Sequence, residues 1–80
     1  MNFLFKTTIH QRGLELNYNV FEFKLHPGKY KAELTTPESS RFMKEIIFWK
    51  EREKWKVQPP LESALNIVEQ IGKDIDHQKQ

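Results

Sequence analysis

Ile46-Ile47-Phe48-Trp49-Lys50-Glu51-Arg52-Glu53-Lys54-Trp55-Lys56-Val57 is the stretch whose conformation decides the fold. Its first four residues are all large and apolar. Successive side chains of a strand point to opposite faces, so a strand through Ile46–Trp49 is apolar on both sides. The competing account is a helix from Pro37 to about Lys50, with Thr36 as its N-cap. Such a helix would gather Phe42, Met43, Ile46 and Trp49 only loosely on one side. Composition favours strands, because Ile-Ile-Phe-Trp and Trp-Lys-Val are rich in β-branched and aromatic residues. The expectation is a loop through Lys44, a strand over 46–50 and another over 54–58. The objection is that no glycine or proline marks the turn at 51–53.

Loop length then sets which residues share a face. A three-residue loop places Trp49 opposite Trp55 and Ile47 opposite Val57, with Ile46 and Phe48 on the reverse side. A loop of two or four residues changes the parity and sets Phe48 against Val57. In either case part of the set Ile47, Phe48, Trp49 and Trp55 falls on a face that one helix does not cover.

Upstream, Phe3, Phe5, Thr7 and Ile9 alternate with Leu4, Lys6, Thr8 and His10, as a strand requires. Gln11-Arg12-Gly13 is a hairpin connection, with Gly13 free to adopt positive φ. Leu14, Leu16, Tyr18 and Val20 continue on even positions, and Phe21, Phe23 and Leu25 on odd ones. That change of phase suggests a bulge or tight turn at Asn17-Tyr18-Asn19. His26-Pro27-Gly28-Lys29 has the chemistry of a type II turn. Tyr30, Ala32 and Leu34 then alternate with Lys31 and Glu33.

Downstream of Pro59-Pro60 the period changes. Leu61, Ala64, Leu65, Val68, Ile71 and Ile75 recur every three or four residues, the mark of an amphipathic helix. Pro60 suits its first turn and Glu62 complements its dipole. Gly72 is a candidate early end, followed by a frayed tail over 76–80. The whole reads as a single domain, 1–80. Its class is α+β: an antiparallel, meander-like sheet of four to five strands with one C-terminal amphipathic helix packed on one face. The expected core is Phe5, Ile9, Leu16, Phe21, Phe23, Tyr30, Ala32, Leu34, Ile46, Phe48, Leu61, Leu65, Val68 and Ile71.

Eighty residues bury little surface, and there is no cysteine to staple the chain. Ten aromatic residues supply packing area, and oligomerisation is the remaining route to burial. The net charge is +2: residues 1–59 carry eleven Lys/Arg against seven acids, and residues 60–80 carry two against four. No apolar run is long enough for a membrane span, and the opening Met1–Lys6 lacks the features of a signal peptide. A soluble, cytoplasmic protein is expected.

Catalysis finds no support in these residues. His10, His26 and His77 lack metal-ligand spacing, so no metal or cofactor is expected. Ser39-Ser40 lacks a nucleophile elbow, and Gly28-Lys29 and Gly72-Lys73 are not phosphate loops. A non-catalytic interaction module remains, docking a protein partner or a second copy through Ile47, Trp49 and Trp55. The alternative ligand is anionic or single-stranded nucleic acid, held by the same aromatics with Lys50, Arg52, Lys54 and Lys56. Glu51 and Glu53 interrupt that basic run, and no known nucleic-acid signature accompanies it. The plain account of the apolar stripe is core packing beneath a curled sheet.

Overall fold

The computed structural model describes residues 1–35 and 44–78. Strands β1 (Asn2–Gln11), β2 (Leu14–Glu22), β3 (Lys29–Leu34), β4 (Glu45–Glu51) and β5 (Lys54–Gln58) are followed by helix α1 (Glu62–Gln78). The sheet order is β1-β2-β3-β4-β5, an antiparallel meander in which each strand bonds its sequence neighbours. The fold is therefore the α+β arrangement expected, with five strands.

The Ile46–Val57 stretch forms the β4–β5 hairpin, so a helix reaching Lys50 is excluded over 45–50. The remainder of that alternative, residues 37–43, lies outside the described residues. Glu51 pairs with Lys54, leaving Arg52 and Glu53 as the whole loop. Their φ angles are +51° and +66°, the conformation of a type I′ turn, whose twist matches that of a hairpin. A Cβ makes this region costly, so such turns usually carry glycine or asparagine. Neither is present here. The two-residue loop sets Phe48 against Val57, Trp49 against Lys56 and Lys50 against Trp55. The facing tryptophans that a three-residue loop would give do not occur.

The other connections follow their chemistry. Arg12 and Gly13 both have positive φ between the paired Gln11 and Leu14. At Pro27-Gly28, the Lys29 N–H donates to the His26 carbonyl at 3.0 Å. Gly28 has φ +89° there, and its N–H is held by the Glu22 carboxylate at 2.9 Å. That is the type II turn, tied back to the end of β2.

β2 runs through Asn17–Asn19 without interruption; the irregular pairing lies in β1, between Phe3 and Phe5. Both phases of the β2 pattern are therefore real and belong to one continuous strand. Leu16, Tyr18 and Val20 point inward and are fully buried. Phe21 and Phe23 belong to the opposite face and are only half-buried, which removes them from the expected core. The bulge has a parallel effect at the chain start. It turns Leu4 and Phe5 toward the core, whereas Phe3 pairs with Phe21 on the outside.

The observed core is Ile9, Leu16, Tyr18, Val20, Tyr30, Ala32, Ile46 and Phe48 from the sheet, with Ala64, Ile67, Val68, Ile71 and Ile75 from α1. Each large aliphatic side chain buried this way contributes roughly 1.5–3 kcal/mol. Leu61, expected inside, is 49% exposed, since it precedes the helix proper. Leu65 is half-buried. α1 approaches the two outermost strands, β5 and β1, more closely than the central ones, so the sheet curls around it. The Thr7 hydroxyl donates to Asp74 at 2.7 Å and fastens α1 to β1. Gly72 does not end the helix. Buried in its interior, it seats the indole of Trp55, which occupies the space a Cβ would need.

Candidate binding face

Two rows of side chains cross the outer face of the sheet where the strand registers align. In the first, Phe3 neighbours Phe21, then Lys31, then Ile47. The rings of Phe3 and Phe21 meet edge to face at 5.6 Å, and Phe3 remains 53% exposed. The second row runs nearer the β2–β3 and β4–β5 turns: Lys29 neighbours Trp49, and Trp49 neighbours Lys56. Phe23, just past β2, extends that row. The Lys29 ammonium lies 5.7 Å from the Phe23 ring and 5.8 Å from the Trp49 ring, within cation–π range of both. Aromatic and cationic side chains thus alternate as Phe23, Lys29, Trp49, Lys56.

The electrostatics divide this face. Lys31 is bonded to Glu45 at 2.7 Å, and that hydrogen bond raises the pKa of its ammonium group. Its charge is accordingly matched within the sheet. Lys29 and Lys56 form no ion pair among the described residues. Glu51 accepts a 3.4 Å bond from the Trp49 indole N–H, which orients the ring. Farther from the turns the face becomes polar and partly acidic, with Lys6, Asn19, Glu33 and Glu45 aligned across four strands. Beyond them the Thr8 hydroxyl bonds Asn17 at 2.8 Å.

The residues singled out in the sequence are split between the two sides. Ile47 and Trp49 lie on the outer face. Trp55 lies on the inner side, edge to face with Phe48 at 5.5 Å and against Gly72. Lys54 and Lys56 are exposed on the outer side of β5, and Arg52 occupies the turn. Lys50 shares the side of Trp55: its ammonium is 5.4 Å from that ring and 3.5 Å from Asp76. The cluster of Ile47, Trp49 and Trp55 is therefore not one surface.

Phe3, Phe21, Phe23 and Lys29 are the residues of the outer face that the sequence reading left out. The odd-numbered alternation Phe21, Phe23 was their visible signal. Read as a slip of phase into the core, it concealed a second apolar face.

Among the described residues no group of three or more His, Cys, Asp and Glu side chains is placed to hold a metal ion. No helix among them is long and apolar enough to cross a membrane. The chain matches no protein-family model, no curated protein and no solved structure. Function therefore has to be argued from the site alone.

Proposed function

We propose that this chain is a non-catalytic binding module. Its working surface is the aromatic half of the outer sheet face, and its ligand is single-stranded nucleic acid. The observation that carries this reading is the row Phe23, Lys29, Trp49, Lys56. Flat rings offer stacking surfaces to bases of any sequence, and intervening ammonium groups meet the phosphates between them. The size of the patch points the same way. Two rows across five strands cover on the order of 20 Å by 10 Å, well below the ~800 Å² per partner of a stable protein interface. A narrow, flexible, anionic strand fits such a patch better than a second globular surface does.

The test is titration of the protein with a ten-nucleotide oligothymidine at low salt, followed by tryptophan emission. Saturable quenching is expected. If Lys29, Lys54 and Lys56 hold three phosphates, the slope of log affinity against log salt is about −2. Trp49→Ala and Lys29→Ala should each weaken binding several-fold with the fold intact. Unchanged emission at low salt, or affinity indifferent to both substitutions, overturns the reading.

Protein docking or self-association is the second reading, favoured by the exposed ring of Phe3 beside Phe21 and Ile47. Its signature is a sedimentation coefficient that rises with concentration and returns to that of a monomer on Trp49→Ser.

A further inference from the structure

The outer edge of β5 has a geometry that the binding face does not use. β5 is the last strand of the sheet, paired on one side only with β4 among the described residues. In a hairpin with a two-residue loop the pair flanking the loop is hydrogen-bonded, and bonded and non-bonded pairs then alternate. Glu51–Lys54 is that flanking pair, so Trp49–Lys56 is also bonded, while Lys50–Trp55 and Phe48–Val57 are not. The N–H and C=O groups of Trp55 and Val57 consequently point away from β4, to the open edge. Their side chains point inward, toward α1.

Between that edge and α1 runs a trough. Trp55, Val57, Leu61 and Leu65 form its apolar floor. Lys54 and Lys56 border its sheet side, and Glu53, Glu62 and Glu69 complete its lining from the turn and from α1. Lysines on an edge strand commonly serve to discourage pairing. That role leaves unexplained why an apolar floor, with Leu61 half exposed, lies directly beside the edge.

We infer that this trough takes an extended peptide as a sixth strand, one whose side chains alternate between apolar and acidic. Backbone pairing with Trp55 and Val57 holds such a strand in register, the mode by which sheet edges recruit peptides. Its inward side chains rest on Leu65 and Trp55. Its outward ones stand across from Lys54 and Lys56, where opposite charges on neighbouring strands attract. The inference stands on the backbone edge of β5; it shares Lys54 and Lys56 with the nucleic-acid reading, whereas Phe23 and Lys29 belong to that reading alone.

The experiment is a titration of the isotopically labelled protein with a synthetic heptapeptide alternating aspartate and valine, followed by backbone amide shifts. Saturable shifts are expected at Trp55, Val57 and Leu65, and a lysine–valine heptapeptide should bind at least tenfold more weakly. Val57→Pro removes the outward N–H without touching the β4 ladder and should abolish binding. Leu65→Ser, on α1, should weaken it several-fold and serves should Val57→Pro unfold the chain. Lys29→Ala should leave peptide affinity unchanged. The inference is overturned if no amide shifts saturate, if both peptides bind equally, or if Leu65→Ser binds like the parent. It is equally overturned if the shifts centre on Phe23 and Lys29, or if the edge proves to be filled by a second copy of the chain.

Discussion

A Cβ added at residue 72 would stand 2.6 Å from Cε2 of Trp55 and closer still to its Nε1. Alanine is the better helix former by ~1 kcal/mol, whereas forcing the indole aside costs about 1–3 kcal/mol. Gly72→Ala should therefore lower stability by roughly 1 kcal/mol in urea unfolding. Trp55→Phe removes the offending atoms, so the double variant should lose less than the sum of the two single ones. Tyr18 provides a second test at this scale. Its ring is fully buried, and burial pushes its phenol up to about 12. The neutral phenol is the form the fold favours. Its contribution is thus complete below pH ~10 and is lost as pH rises from there toward 12, by at most ~1.4 kcal/mol per pH unit. Melting temperatures between pH 9 and pH 12 should fall more steeply in the parent than in Tyr18→Phe. Neither residue declared its role in the sequence. Gly72 looked like a helix stop because glycine is common there, and only the position of Trp55 shows the space it provides.

At the scale of elements, the β4–β5 turn carries a local conflict. Arg52 and Glu53 both adopt left-handed backbone, which costs a residue with a Cβ roughly 1–2 kcal/mol. Replacing the pair with asparagine and glycine, the residues such turns prefer, should raise the urea midpoint by an amount worth about 1 kcal/mol, with the sheet unchanged. This same conflict explains how much of the site was legible. The strands of the hairpin were evident from Ile46–Trp49 and Trp55–Val57, as was the helix from its regular spacing. The loop length was not, because nothing in Glu51-Arg52-Glu53-Lys54 advertises positive φ. One residue of loop changes the partner of Trp49 from Trp55 to Lys56, and with it the makeup of the outer face. The turn at His26-Pro27-Gly28-Lys29 was placed correctly from sequence alone, whereas Gln11-Arg12-Gly13 was located but taken one residue too long, since Gln11 pairs with Leu14 and only Arg12-Gly13 forms the loop.

Over the whole molecule, the two tryptophans report the two sides of the sheet. Trp55→Ser opens a hole between the sheet and α1 and should cost about 2–4 kcal/mol. Trp49→Ser, on the outer face, should cost under ~1 kcal/mol, and equal losses would mean that the outer face is packed as tightly as the inner one. The overall class was legible because β1, β2 and β3 alternate with period two, β4 and β5 have the composition of strands, and the helix repeats every three to four residues. Of the second face only Ile47 and Trp49 were legible; Phe3, Phe21 and Phe23 were not, since alternating residues look alike whether they meet a helix or water. One further consequence follows from the way α1 touches both β1 and β5. The five strands precede the helix in the chain, so on a ribosome they emerge with Ile9, Val20, Ile46 and Phe48 still unroofed. The interval before residues 62–78 clear the exit tunnel is the time when a nascent copy is most exposed to chaperones, to proteases and to its neighbours on the same message.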